Sequence, residues 1–206
     1  MRLPGVFHNA RIPEQGKHVD FLQVIEQRRA VRQYRAATIE RPMMESLIAK
    51  AVLAPSAMNL QPWSFAVISG VTQIDEYARR AREHLIATSA GPPELRAMLS
   101  DPKFSMFYHA PALVLVLAKT ADQQAREDCC LAALTFMLAA RNEGLGTCWI
   151  GLAKPWLNLP ETRAELRIAE PCHVVAPIVL GYPVDWPEPH GRRTPEIHWI
   201  VEKTAP

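Results

Sequence analysis

Several signatures that would narrow function quickly are missing from this 206-residue sequence. The four cysteines, Cys129, Cys130, Cys148 and Cys172, form no CxxC pair. Neither a zinc ribbon nor a disulfide framework is therefore supported, and a reducing cytoplasm is the expected compartment. Glycine is scarce, nine residues against eighteen prolines. The stretch that most resembles a dinucleotide fingerprint, "GLGTCWIG", has Trp149 where the pattern needs its last glycine, which argues against a Rossmann site. No apolar run is long enough to span a bilayer, so no membrane association is expected. A net charge of +2 with 21% charged residues gives no general affinity for polyanions, and nucleic acid is not an expected partner. His109, His173, His190 and His198 lack metal-ligand spacing, and no Ser/His/Asp constellation stands out. Neither a metal nor a catalytic triad is proposed.

The length suits one domain. Residues 1–20, which carry Pro4, Gly5, Pro13 and Gly16 without clean periodicity, read as an N-terminal arm, and residues 21–206 as a single domain. Asp20 is placed to cap a helix whose apolar positions Phe21, Val24 and Ile25 share a face, so the following basic cluster sits at or just past a helix end. Pro42 suits a first helical turn, and Leu47, Ile48, Ala51 and Val52 form a stripe that stops at "APSAMNLQP". "WSFAVISG", "APALVLVLA" and "HVVAPIVLGYP" read as strands, the last two buried on both faces. Ile74–Tyr108 reads as mostly helical, broken at "AGPPE". From Asp122 to Asn142 runs the strongest helical signal. Between Cys129 and Ala140 only Thr135 is polar, so this helix is central or lies at a subunit interface. Gly144 suits its C-terminal cap, and "RRTPEIHWIVEK" is a candidate last edge strand. The order of helices and buried strands gives an α+β fold.

Two stretches could carry chemistry. "RRAVRQYR" places Arg28, Arg29, Arg32 and Arg35 within eight residues; converging guanidiniums suit a phosphate dianion, and a solvated basic face would look the same. "PSAMNLQP" offers a hydroxyl and two amides between Pro55 and Pro62. It reads equally as a rigid ligand-binding edge or as a turn. Cys148, with no histidine near it in sequence, reads as a packed thiol.

Together, "RRAVRQY", "APSAMNLQPWSFAVI", "GLGTCWIG" and "GRRTP", in this order, resemble the motifs of the nitroreductase family of flavin mononucleotide (FMN) oxidoreductases; the second segment is the most specific. The resemblance spans about Phe21 to Glu196. It implies a nitroreductase-like fold, a mixed and mostly antiparallel central sheet flanked by helices, in an intertwined homodimer whose two FMN sites are each built by both chains. By position, Arg28, Arg29, Ala30 and Arg32 would hold the phosphate, ribityl chain and polar flavin edge from one subunit, with Arg193 as a second phosphate contact. Pro55, Ser56 and Asn59 would approach from the other subunit, with Gln61 supporting the loop or touching the ring. Trp149, Ile150 and Gly151 would line the isoalloxazine with backbone N–H groups. Ala30 replaces the usual small hydroxyl residue and Gly191 a frequent lysine, for which Arg192 is a possible substitute. Another lysine common in the family has no clear equivalent, although Lys103 lies nearby.

The resemblance further implies a ping-pong cycle in which NADH or NADPH reduces the flavin and a small-molecule acceptor then uses the same face. No protein residue need act as acid or base, because the hydride chemistry belongs to the flavin. Nitroaromatics, quinones or related conjugated compounds are the implied acceptors. Phe104, Phe107 and Tyr108 read either as a lid over them or as core. Related members dehalogenate aromatic rings, desaturate peptides or break down flavin. Outside catalysis, a non-catalytic FMN-binding protein or a nucleic-acid module using the arginines is the rival reading.

Overall fold

The computed structural model describes residues 20–88 and 91–200. Apart from Asp20, the proposed arm lies outside them. Asp20 accepts the Leu22 N–H and starts α1 (Phe21–Gln27), which ends where Arg28 departs into extended backbone. Pro42 sits in the first turn of α2 (Arg41–Ala51). The chain continues through β1 (Trp63–Ser69), α3 (Val71–Thr88), α4 (Pro93–Ser100), β2 (Ala112–Ala118), α5 (Gln123–Asn142) and β3 (Gly146–Trp149). Two short helices, α6 (Lys154–Leu157) and α7 (Pro160–Glu165), lead to β4 (His173–Gly181).

The sheet order is β1-β2-β4-β3, and every ladder in it is antiparallel. Its parallel component is one isolated bridge, Ala30 to Thr147. Because side chains alternate across a strand, β2 feeds two cores. Val114 and Val116 join Cys129, Ala132, Ala133 and Phe136 of α5 on one face, where α2 also packs. Leu113, Leu115 and Leu117 join Ile74, Tyr77 and Leu85 of α3 on the other, with Trp156 of α6. All seven residues of β2 are buried, as its unbroken apolar run requires. Val175 is passed over in the register between β2 and β4.

α5 is central, yet not covered all round. Cys130, Leu131 and Leu134 are exposed, leaving an apolar stripe at helical spacing on its outer side. Of the apolar residues on α1 only Val24 is buried; Phe21 and Ile25 face out. One element was not expected, and one expectation needs correction. The strand β3 has no sequence signal of its own, being four residues led by glycine. Of the stretch read as an edge strand, residues 201–203 lie outside the described residues, and the described part forms none: residues 187–200 have no regular structure, and Ile197, Trp199 and Ile200 are exposed. A strand needs an edge for its N–H and C=O groups, and among the described residues no ladder includes residues 187–200. Among the described residues, no helix is long and apolar enough to cross a membrane.

Candidate functional site

The arginine segment owes its shape to β3. After α1, Val31 donates its N–H to the Thr147 carbonyl at 3.0 Å, and Arg35 donates to the Tyr182 carbonyl at 2.9 Å. Val184 returns a bond to the Gln33 carbonyl. Two glycines make this approach possible. A Cβ on Gly146 would stand 2.7 Å from the Val31 side chain, and one on Gly181 would stand 2.7 Å from Tyr34. Val31 is consequently buried while Arg32 faces solvent, so the strand-like segment anchors on its apolar residue and presents its cations.

Among the described residues, Arg28, Arg29, Arg32 and Arg193 form no ion pair with a carboxylate. Arg29 donates Nη1 to the Glu26 and Arg28 carbonyls, and its buried Nε has no partner. The Arg32 guanidinium lies 5.8 Å from the Tyr108 ring centre. Burial pushes the Cys148 thiol above its ordinary range despite the opposing influence of Arg32 and Arg28, which agrees with a packed, protonated thiol. A cavity of about 290 Å³ opens beside Ala30, Arg32, Gln33, Asp185 and Trp186, at the bottom of the ~300–1,000 Å³ range of small-molecule clefts.

Arg141 is a participant that sequence reasoning missed. It bonds Gln27 at 2.6 Å and covers the Trp186 ring at 4.0 Å. Burial and then the nearby Arg29 lower its pKa, so a further cation belongs to this end of the molecule. Its only sequence signal was a basic residue in the last turn of a helix. Arg193 lies on the exposed tail, and no hydrogen bond or ion pair among the described residues joins it to the other arginines.

β3 then carries the chain to Gly151. Trp149 packs against the α2/α5 core and Ile150 is buried in the opposite one. The Ile150 N–H is taken by the Pro177 carbonyl at 2.8 Å, so it is not available to a ligand. Gly151 is exposed, with nothing within 4 Å of where a Cβ would stand. Phe107 is fully buried, and Phe104 and Tyr108 pack edge-to-face at 6.3 Å against the second core. The core reading of these aromatics holds, with Tyr108 also reaching Arg32.

The loop at Pro55–Gln61 is elsewhere. Met58, Asn59 and Gln61 have φ of 50°, 55° and 49°, a left-handed backbone that non-glycine residues seldom adopt. It is held by the Ser56 Oγ accepting the Gln61 N–H at 3.0 Å, and by the Gln61 amide donating to Asn59 Oδ1 at 3.0 Å. Gln61 therefore supports the loop. The buried carboxylate of Asp128 on α5 accepts the Ala57 N–H at 3.3 Å and the Gln124 amide at 3.1 Å. Pro55, Asn59 and Gln61 stay exposed. The loop anchors at Asp128, and the arginine segment contacts the Arg141 end of the same helix. Thirteen residues at 1.5 Å rise separate those positions by about 20 Å. The protomer thus joins the first and third motifs and keeps the second apart.

Comparison with known proteins gives a consistent set of relatives. The profile of the nitroreductase family matches residues 25–182. A protein of Archaeoglobus fulgidus, provisionally named NADH dehydrogenase/NAD(P)H nitroreductase, is 31% identical over 80% of this chain and 86% of its own. An iodotyrosine deiodinase of Thermotoga neapolitana is 29% identical over 84% and 92% of the two chains. Among solved structures, an FMN-bound nitroreductase of Bacteroides fragilis superposes with a TM-score of 0.75 at 27% identity, covering 89% of this chain and 100% of the other.

Proposed function

The chain belongs to the nitroreductase family, and on that premise we propose an FMN-dependent oxidoreductase. It uses NADH or NADPH to reduce nitroaromatics, quinones or related conjugated acceptors in a ping-pong cycle, as a cytoplasmic homodimer. The observation that carries the reading is the ridge from the arginine segment to β3. Cations that have no carboxylate partner among the described residues, with an orphaned buried Arg29 Nε, lie at one end, and the open backbone of Gly151 lies at the other. A phosphate at the first and a planar ring at the second suit that donor set.

When bound, FMN supplies hydride acceptance and donation. The chain's own work is positional. Arg28 and Arg29 would neutralise the phosphate, and Arg32, steadied against Tyr108, would donate to the polar ring edge. Ala30 offers its backbone only. Gly151 leaves room for a ring to lie close to the chain. Ser56 and Asn59 of the partner subunit complete the pocket, which the separation along α5 and the exposed stripe of Leu131 and Leu134 support. Arg193, on the exposed tail, would add the second phosphate contact. Reductive dehalogenation is the second reading, favoured by the deiodinase relative's near-complete coverage.

The direct test is colour. Purified protein should be yellow and bleach anaerobically with NADPH or NADH, and an acceptor panel including nitroaromatic, quinone and halogenated phenol should restore the colour selectively. Colourless protein that FMN cannot reconstitute would overturn the proposal.

A further inference from the structure

A second polar cavity, of about 460 Å³, lies away from the arginine segment, near the start of β4. Arg126 from α5, Lys154 from α6, Arg163 from α7, Glu170 and His173 line it. Three cations face one carboxylate there. Arg163 is committed to Glu170 and to the Cys172 carbonyl, and its Nε is buried without a partner. Arg126 and Lys154 form no ion pair with a carboxylate among the described residues.

The walls are fixed. Asn158 donates to the Lys154 and Val174 carbonyls at 3.0 Å each and accepts the Val174 N–H at 2.8 Å, tying the end of α6 to β4. The Arg126 Nε donates to the His173 Nε2 at 3.2 Å. An imidazole that accepts at this nitrogen is neutral, so His173 adds no charge and orients the guanidinium. Burial and the positive charges of Arg126, Arg163 and Lys154 together hold its pKa below the ordinary histidine range. The cavity therefore carries an excess of two positive charges, with the Nη groups of Arg126 and the Nζ of Lys154 available as donors.

We propose that this pocket binds a phosphate-class dianion, either free inorganic phosphate or the phosphate of a small phosphorylated molecule. Its charge matches the excess, and its oxygens suit a guanidinium and an ammonium acting together. The experiment uses the FMN-treated full chain in phosphate-free buffer, titrated calorimetrically with inorganic phosphate. Saturable binding is expected at millimolar affinity or tighter. The Arg126→Gln/Lys154→Gln double variant should weaken it about tenfold or more, with the melting temperature unchanged; Lys154→Met alone serves as a second, milder variant. Displacement of phosphate by 2′,5′-ADP but not by adenosine assigns the pocket to a phosphorylated nucleotide, and displacement by neither assigns it to the free ion. Absence of saturable binding, or binding unaltered in both variants, would overturn the proposal. So would binding abolished by Arg28→Gln instead, which assigns the phosphate to the arginine segment. Because the titration reads phosphate and not colour, it is independent of whether the flavin reading stands.

Discussion

The arginine segment and the proline-bounded loop contact opposite ends of α5 and are built in opposite ways. The loop is held mainly from within, by Ser56, Asn59 and Gln61 bonding one another across a few residues, with Asp128 as its tertiary anchor. The arginine segment is held from outside. Its bonds run to Thr147, Tyr182 and Pro183, more than a hundred residues on in the chain. A locally bonded loop keeps its shape wherever it is carried, whereas a segment shaped by tertiary contacts depends on the strand beneath it. One follows from composition and turn chemistry, the other from how the sheet closes.

Substitutions can break the two halves separately. The largest effect is expected at Gly146→Ala, whose new Cβ meets Val31 at 2.7 Å. Overpacking there should cost about 1–3 kcal/mol in chemical denaturation and release the flavin, because the cations lose their support. Arg28→Ala should leave the melting temperature unchanged and weaken FMN retention by roughly 10- to 100-fold, the range for a charged hydrogen bond. Asp128→Ala removes the loop's buried anchor and strands the Ala57 N–H. A loss of about 1–3 kcal/mol is expected, with Asp128→Asn retaining part of it, and equilibrium unfolding checks both.

The smallest effect is one of pH. The folded chain holds His173 below its ordinary pKa, so between the two values the unfolded chain binds the extra proton. Stability from this group is complete above the ordinary histidine range, near 6.5, and falls as pH drops below it. His173→Gln should flatten that part of the stability profile in denaturant titrations from pH 7 to 5. A profile as steep as that of the parent would assign the slope elsewhere.

Much of this was legible beforehand. Asp20 capping α1, Pro42 in the first turn of α2, the strand β1, the buried strands β2 and β4, and Gly144 after α5 at φ 74° all follow from local rules on capping, alternation and left-handed turns. The loop's polar character was equally visible, because its bonds are short-range. β3 was not, since four residues give no period. "EIHWI" has strand composition, yet residues 187–200 are irregular, because a strand exists only where an edge receives it. Arg141 joined the cluster through folding alone. The Ile150 N–H is committed to the Pro177 carbonyl across the sheet, a bond no local pattern signals. The residues hardest to place are those whose partners lie across the sheet.

The central claim is that each flavin site takes its arginines from one chain and its loop from the other. Subunits carrying Arg28→Ala, mixed with subunits carrying Asn59→Ala and refolded together, test it directly. If the site is shared, each mixed dimer has one site with both lesions and one with neither, so FMN binding and NAD(P)H-dependent bleaching should reappear in material where each parent homodimer has lost them. If both residues serve the same chain's site, every site keeps one lesion, and the absence of any recovery in confirmed mixed dimers would contradict the account.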